Sequence, residues 1–347
     1  MKTFQQFEKV IENIPTTTSW YLADLGEARG KQELFTKQSP QKLKVLREHA
    51  LIESAVSSNR IEGVTVNQKR IGTIVFGKKH LKDRSEEEVR CYRTALDWVH
   101  REDAKIPISE KTTLKLHQMS RGEIWDAGKY KEKNVDIIEK LPGGRERVRF
   151  KTVEASKTPA FMGKIIDAWQ DALKEKNVHP LIALAAFNLD FLCIHPFRDG
   201  NGRVSRLLLL LQSYSLGYEV GRYISLERLI EQNKERYYET LEQSSQSWHE
   251  GKHDPWPYIN YLLFILKTAY QEFESRVGQM KSPRGAKTEL IEIAVASLNK
   301  EFTISDLEKT CPGVSRDMIR VVMNRLRKEE RLKILGRGRD AKWTKLK

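Results

Sequence analysis

Between residues 195 and 206 the chain reads HPFRDGNGRVSR: a histidine, an aspartate, a Gly-Asn-Gly turn and two arginines, set between two apolar runs. Each residue type suits one part of a single reaction. Backbone N–H groups around Gly200, Asn201 and Gly202, unobstructed by a side chain at either glycine, make a nest for an anion. The dipole of the helix expected to follow favours negative charge there. Arg203 and Arg206, three apart on that helix's first turn, are placed to clamp phosphates. Asp199 is a hard oxygen ligand for magnesium bridging those phosphates. His195 is the one group here able to take a proton from an incoming hydroxyl near neutral pH. Together they describe a phosphoryl-type or nucleotidyl-transfer site. A P-loop is excluded because no Gly-Lys-Ser/Thr is present. Zinc is excluded because no second His or Cys stands at ligand spacing.

The elements that must hold this loop are helical. LIALAAFNLDFLCI, before it, is apolar on nearly every side and starts at His179-Pro180, which predicts a central buried helix with proline in its first turn; five leucines at 207–211 predict a second. Apolar residues recur at three and four in PQKLKVLREHALIESAVSSNRIEG, SEEEVRCYRTALDWVHRE, PAFMGKIIDAWQDALKEK and WPYINYLLFILKTAYQEFESRV, so the fold class is mainly α. YKEKNVDIIEKLPGGRERVRF breaks the pattern: two β-type runs flank Pro142-Gly143-Gly144, as in a hairpin. RVGQMKSPRGAK, after residue 275, reads as a linker.

A small separate domain is expected beyond it. A helix at about 288–298 precedes FTISDLEKTC, where Thr303 or Ser305 is positioned to cap a second helix, and Ser315 to cap a third after the Pro312-Gly313 turn. On the third helix Ile319, Met323 and Leu326 form an inward stripe. Arg316, Arg320 and Arg327 fall on another face, one that suits a major groove. The last residues read as two strands around a Gly-Arg-Gly-Arg tip carrying Arg337 and Arg339. This order resembles a winged helix-turn-helix domain, for contact with nucleic acid or for docking.

Composition sets the limits. A chain of 347 residues is long enough for two or three domains. With 39% hydrophobic and 31% charged residues and a mean hydropathy of -0.58, it is that of a globular protein with no membrane span expected. The N-terminal residues lack the pattern of a secretion signal, so the cytoplasm is the expected location. Cys91, Cys193 and Cys311 lack paired spacing, and a disulfide framework is not expected. The net charge of +14 favours a polyanionic partner, and residues 315–347 hold 12 basic against 4 acidic residues.

The 195–206 stretch resembles the Fic family motif, His-Pro-Phe-x-Asp/Glu-Gly-Asn-Gly-Arg-x-x-Arg, at every defined position. The resemblance implies a helical bundle with a β-hairpin flap, and transfer of AMP from ATP, with magnesium, to a Ser, Thr or Tyr hydroxyl of a target protein, the protein itself included. It implies that His195 activates the hydroxyl and Asp199 holds the metal. Gly200, Asn201 and Gly202 would then cradle the α- and β-phosphates, Arg203 would support the β-phosphate and Arg206 the γ-phosphate. Family members that donate phosphate carry lysine where this chain has Asn201.

Ser58-x-x-x-Glu62-Gly63 is similar to the family's inhibitory helix motif. Ser58 and Glu62 share one helix face, Gly63 ends the helix, and a carboxylate brought to Arg206 would occupy the guanidinium that the γ-phosphate needs. GKYKEKNVDI resembles the first flap strand and nominates Val135, Asp136 and Ile137 for backbone pairing with the target. ERYYETL resembles the segment lining the adenine pocket and nominates Tyr237 and Tyr238. The resemblance spans about residues 20–270. The expected organisation is an N-terminal helical region with the inhibitory helix (1–100), a catalytic core (101–270), a linker (271–286) and the winged helix-turn-helix domain (287–347).

Two other functions fit the same residues: a DNA-binding regulator whose core senses nucleotide, and an enzyme that removes AMP from a modified target. Symmetric homodimers are common among proteins of this kind and would be able to gate the helix.

Overall fold

The computed structural model describes residues 1–7, 14–38, 40–77, 80–140, 146–279, 286–311, 314–336 and 341–346. Its helices are α1 (Lys2–Gln5), α2 (Thr16–Gln38), α3 (Pro40–Ile61), α4 (Ile71–Phe76), α5 (Arg84–Glu102) and α6 (Glu110–Arg121). The hairpin of β1 (Ile137–Lys140) and β2 (Glu146–Phe150) interrupts them. There follow α7 (Thr158–Glu175), α8 (Pro180–Ile194), α9 (Asn201–Ser215), α10 (Leu226–Gln232), α11 (Lys234–Ser245) and α12 (Trp256–Gln279). None among the described residues is long and apolar enough to cross a membrane.

The bundle is organised around α8. Every residue from Leu181 to Ile194 is buried, as an apolar surface without a polar stripe requires. Pro180 occupies its first turn, and the His179 side chain accepts the Leu181 N–H at 3.2 Å. Two polar residues inside this helix are satisfied: Asn188 donates to the Ser205 carbonyl at 2.9 Å and accepts from the Tyr258 hydroxyl at 2.8 Å. Asp190 accepts from the Thr3 hydroxyl and the Trp248 indole, each at 2.6 Å, which fastens α1 to the bundle.

The hairpin is antiparallel, with Ile138 opposite Val148 and a bulge between Ile137 and Ile138. Its apex, with Pro142, Gly143 and Gly144, lies outside the described residues, while Val135 and Asp136 precede the first strand. The stretch expected as a linker is helical as far as Gln279. Phe273 and Val277 extend the buried stripe of α12.

Residues after 286 build a second core. The helix α13 (Ala286–Ser297), the strand β3 (Glu301–Thr303), the helices α14 (Ile304–Thr310) and α15 (Arg316–Lys328) and the strands β4 (Leu332–Leu335) and β5 (Lys342–Lys345) enclose Ile291, Phe302, Leu307, Ile319, Met323 and Trp343. The strands order β3-β5-β4, antiparallel. Thr303 caps α14 in a capping box with Asp306, and Ser315 caps α15. This unit touches the bundle, where the Gln68 side-chain amide donates to the Glu308 carbonyl. Arg337 and Arg339 lie outside the described residues. All three cysteines are free thiols.

Candidate active site

The 195–200 loop joins the two buried helices and is fixed from three sides. His195 closes α8 in the left-handed region (φ 52°), with its N–H on the Phe191 carbonyl at 3.0 Å. A non-glycine residue there carries strain that surrounding contacts must hold. Asn201 supplies one contact: its amide accepts the Phe197 N–H at 2.9 Å and donates to the Phe197 carbonyl at 2.8 Å. Its side chain is thus a staple across the turn, which leaves only its backbone N–H for an anion. Losing this staple leaves buried Phe197 groups unpaired at roughly 1–3 kcal/mol. Asn201→Ala is therefore expected to lower the thermal melting point, and an unchanged melting curve would show that the loop is held elsewhere.

The second support is α6. The His117 ring stacks on Phe197 at 3.8 Å and accepts the Gly128 N–H on Nδ1 at 3.0 Å. Its Nε2 must then carry the proton and donate to the Asp199 carbonyl at 3.1 Å. Arg121 donates to Asp199 Oδ2 at 2.7 Å. Gly200 passes beneath them at φ 84°, where a Cβ would stand 3.1 Å from Arg121 Cδ. Lys131 is the third support. Its N–H donates to the Pro196 carbonyl at 2.9 Å, and its ammonium to Thr152 at 2.7 Å and the Ile194 carbonyl at 3.2 Å. Burial lowers the Lys131 ammonium to about 8.

His195 lines a cleft of about 230 Å³ together with Glu62, Gly202, Tyr237, Tyr238 and Ile137. Burial, reinforced by the Lys131 charge, brings its imidazole down to about 4, so it is neutral at physiological pH. The ring interacts with the Leu192 backbone, and a neutral imidazole lining the cleft is what a general base needs.

Glu62 lines the same cleft. Arg206 donates to Glu62 Oε1 at 2.8 Å, to the Ser58 hydroxyl at 2.9 Å and to the Ser58 carbonyl at 3.0 Å. Ser58 and Glu62 thus meet the arginine from one face of the α3 terminus, and Gly63 follows in the left-handed region. Burial pulls the Arg206 guanidinium down, but the Glu62 charge and hydrogen bond together with Tyr92 and Tyr237 outweigh it and hold the group above its ordinary value. Arg206 Nη1 is buried without a partner. A Cβ on Gly202 would run into the Glu62 carboxylate, so the glycine is what lets that carboxylate come this close to α9. The last carbonyl of α3, on Ile61, accepts from Lys234 at 2.8 Å and the Tyr238 hydroxyl at 3.4 Å, tying the inhibitory candidate to α11.

The remaining residues fall unequally. Arg203 does not line the cleft. It is buried and donates to Glu88 at 2.6 Å and Asn59 at 3.3 Å, so its guanidinium braces α5 and α3 rather than opening on the anion nest. Tyr237 borders the cleft but packs into the core beside Tyr258 and Tyr261, whereas Tyr238 lies under the Arg149 guanidinium at 5.5 Å. Val135 and Asp136 do not line it. Five residues with no local signal complete the surroundings: His117, Arg121, Lys131, Arg149 and Glu242. The last two tie the flap to α11, with Arg149 and Arg147 both 3.3 Å from the Glu242 carboxylate.

The site fits a nucleotide and its metal. No side chain caps α9, so its first N–H groups stand open to an anion. The Asp199 side chain is 56% exposed. Burial raises its carboxyl, but the charges of Arg121 and Arg203 outweigh that and keep it ionised. Among the described residues no group of three His, Cys, Asp or Glu could hold a metal. One carboxylate suits a magnesium ion whose other ligands are phosphate and water oxygens.

This constellation on a helical bundle resembles a Fic domain, and residues 107–213 match the model of the Fic/DOC family. The chain is similar to the protein adenylyltransferase Fic of Nematostella vectensis, 26% identical over 227 residues, which covers 61% of this chain and 46% of that protein. Its likeness to the protein of the same name in Drosophila melanogaster is 23% over 206 residues, covering 53% and 37%. The chain thus spans less than half the length of these curated relatives. Among solved structures, a Fic family protein from Desulfovibrio desulfuricans G20 superposes with a TM-score of 0.62 at 23% identity over 96% of this chain and 97% of that one. A Fic domain containing signaling protein from Bacteroides thetaiotaomicron does so at 0.59 and 21%, over 76% and 97%.

Proposed function

We propose that the protein is a protein adenylyltransferase that transfers AMP from ATP to a Ser, Thr or Tyr hydroxyl and is held inactive by Glu62. The observation that carries this reading is the pairing, in one cleft, of a neutral His195 with an uncapped α9 N-terminus whose Arg206 is taken by Glu62. The adenylyltransferase names of the relatives support it.

His195 accepts the hydroxyl proton as the oxygen bonds to the α-phosphorus, and the bond from that phosphorus to the bridging oxygen breaks, releasing pyrophosphate. The N–H groups of Asn201 and Gly202 hold phosphate oxygens, that of Gly200 being given to Asp199 Oδ1 at 2.6 Å, and Arg206 binds the γ-phosphate once Glu62 withdraws. Asp199 would hold magnesium, which supplies charge neutralisation on the phosphates. The flap, fastened to α11 through Glu242, presents its edge at Ile137 to the target backbone. Pyrophosphate released in equal amounts to AMP fixed on protein is the expected stoichiometry; transfer of the γ-phosphate instead would refute the reading.

Residues 287–347 we read as a winged helix-turn-helix domain, supported by the order of α13, α14, α15 and the antiparallel strands. Arg320 and Arg327 are exposed on α15, while Arg316 is drawn to Glu308 at 2.7 Å and is less available. Replacing Arg320 and Arg327 with alanine is expected to weaken duplex DNA binding and to lower the slope of log affinity against log salt by about one for each phosphate no longer neutralised. Gel-shift titrations at several salt concentrations measure this, and an unchanged slope would point to a protein-docking module. If AMP transfer survives those substitutions, the core acts as an enzyme in its own right rather than as the nucleotide sensor of a DNA-binding regulator. Removal of AMP remains a second use of the same cleft, in which Glu62, 30% exposed, would activate water.

A further inference from the structure

A second cleft, of about 480 Å³, shares no residue with the nucleotide cleft but is lined by near neighbours in sequence of two of that cleft's residues. Arg198 follows His195 by three residues, and Val135 precedes Ile137 by two. At about 3.3 Å per extended residue, a chain with its hydroxyl at His195 reaches this cleft with residues two or three positions away.

The cleft is cationic and has an aromatic wall. Lys129, Lys133 and Arg198 are exposed and make no ion pair among the described residues. Trp125 is 64% exposed, and the Arg198 guanidinium lies 5.3 Å over its ring. A guanidinium held over the ring in this way keeps N–H groups free to bind a carboxylate in a bidentate way. Of the two acids in the wall, Asp126 is buried 4.0 Å from Arg121 and is offset by it, leaving Glu132 against three cations. Lys131 forms the floor but is spent on Thr152 and the Ile194 carbonyl.

We infer that this cleft binds acidic residues flanking the target hydroxyl, so that Arg198 and Lys133 select target segments rich in Asp or Glu. The inference rests on the adenylyltransferase reading above. Positive charge beside a flap that pairs only backbone would supply the sequence preference that strand addition lacks.

The test uses the full chain with Glu62→Gly, magnesium and α-labelled ATP. The probes are two synthetic peptides of equal length, each with one Ser, one Thr and one Tyr, flanked at the second and third positions by Asp in one and by Lys in the other. The Asp-flanked peptide is expected to be labelled at least about tenfold faster, the equivalent of one good charge pair. Adding Arg198→Glu and Lys133→Glu, both at exposed positions, is expected to reverse the preference while melting temperature and self-labelling stay the same. Equal labelling of both peptides, a preference unmoved by the double substitution, or label on the protein with none on either peptide would each overturn the inference alone. No label on peptide or protein would overturn the adenylyltransferase reading, and the inference with it.

Discussion

Replacing His195 with alanine is expected to lower AMP transfer by about 10²- to 10⁴-fold, the usual contribution of a positioned general base, while leaving nucleotide binding intact. The side chain lines the cleft but supports neither the α9 N-terminus nor Arg206, so its loss removes the base and little else. The pH dependence carries the same signature. An imidazole lowered to about 4 is neutral above pH 5 and takes up a proton only as pH falls through 4. Free enzyme therefore keeps its base across the neutral range. The kcat/KM profile of an activated variant should be level from pH 6 to 8 on its acidic side and fall only near pH 4. A break near 6.5, where a solvated histidine titrates, would mean that the base is another residue or that His195 is hydrated.

Glu62→Gly has the opposite sign and the next largest effect. The Arg206 guanidinium cannot offer the same N–H edge to Glu62 and to a phosphate. Removing the carboxylate frees one N–H of Nη2, the other staying on the Ser58 carbonyl, and Nη1 makes no hydrogen bond. A charge-assisted hydrogen bond contributes roughly 1.5–3 kcal/mol, so ATP affinity is expected to rise on the order of 10- to 100-fold. The fold should not suffer, since α3 ends at Ile61, whose carbonyl is held by Lys234, and Ser58 still contacts Arg206. Calorimetric titration with ATP measures the gain; equal affinity in both proteins would place the γ-phosphate away from Arg206.

Much of this was legible in the sequence because it is local. An apolar run without a polar stripe predicts a buried helix, and α8 is that helix. The 195–206 stretch carries the nest, the base and Arg206 in one turn of chain, and the spacing of Ser58 and Glu62 puts both on one face, where Arg206 meets them. Local spacing could not say what each face would meet. Arg203 shares the α9 first turn with Arg206, yet its guanidinium goes to Glu88, which lies 115 residues earlier. Asn201 reads as part of a phosphate cradle, but its amide folds back on Phe197. His117 and Arg121 brace Asp199 from α6 across 82 and 78 residues, a pairing that no period within one helix reveals. The helix α2 also escapes pattern reading: its apolar residues are too few and too scattered to form a stripe.

The central claim is that Glu62 restrains a cleft in which His195 performs adenylyl transfer. The most direct measurement incubates wild type, Glu62→Gly and the double variant Glu62→Gly with His195→Ala with magnesium and α-labelled ATP, and follows label on the protein itself. Strong label in Glu62→Gly alone, absent once His195 is also replaced, is the expected result. Label in none of the three while ATP still binds, or label that persists without His195, would contradict it.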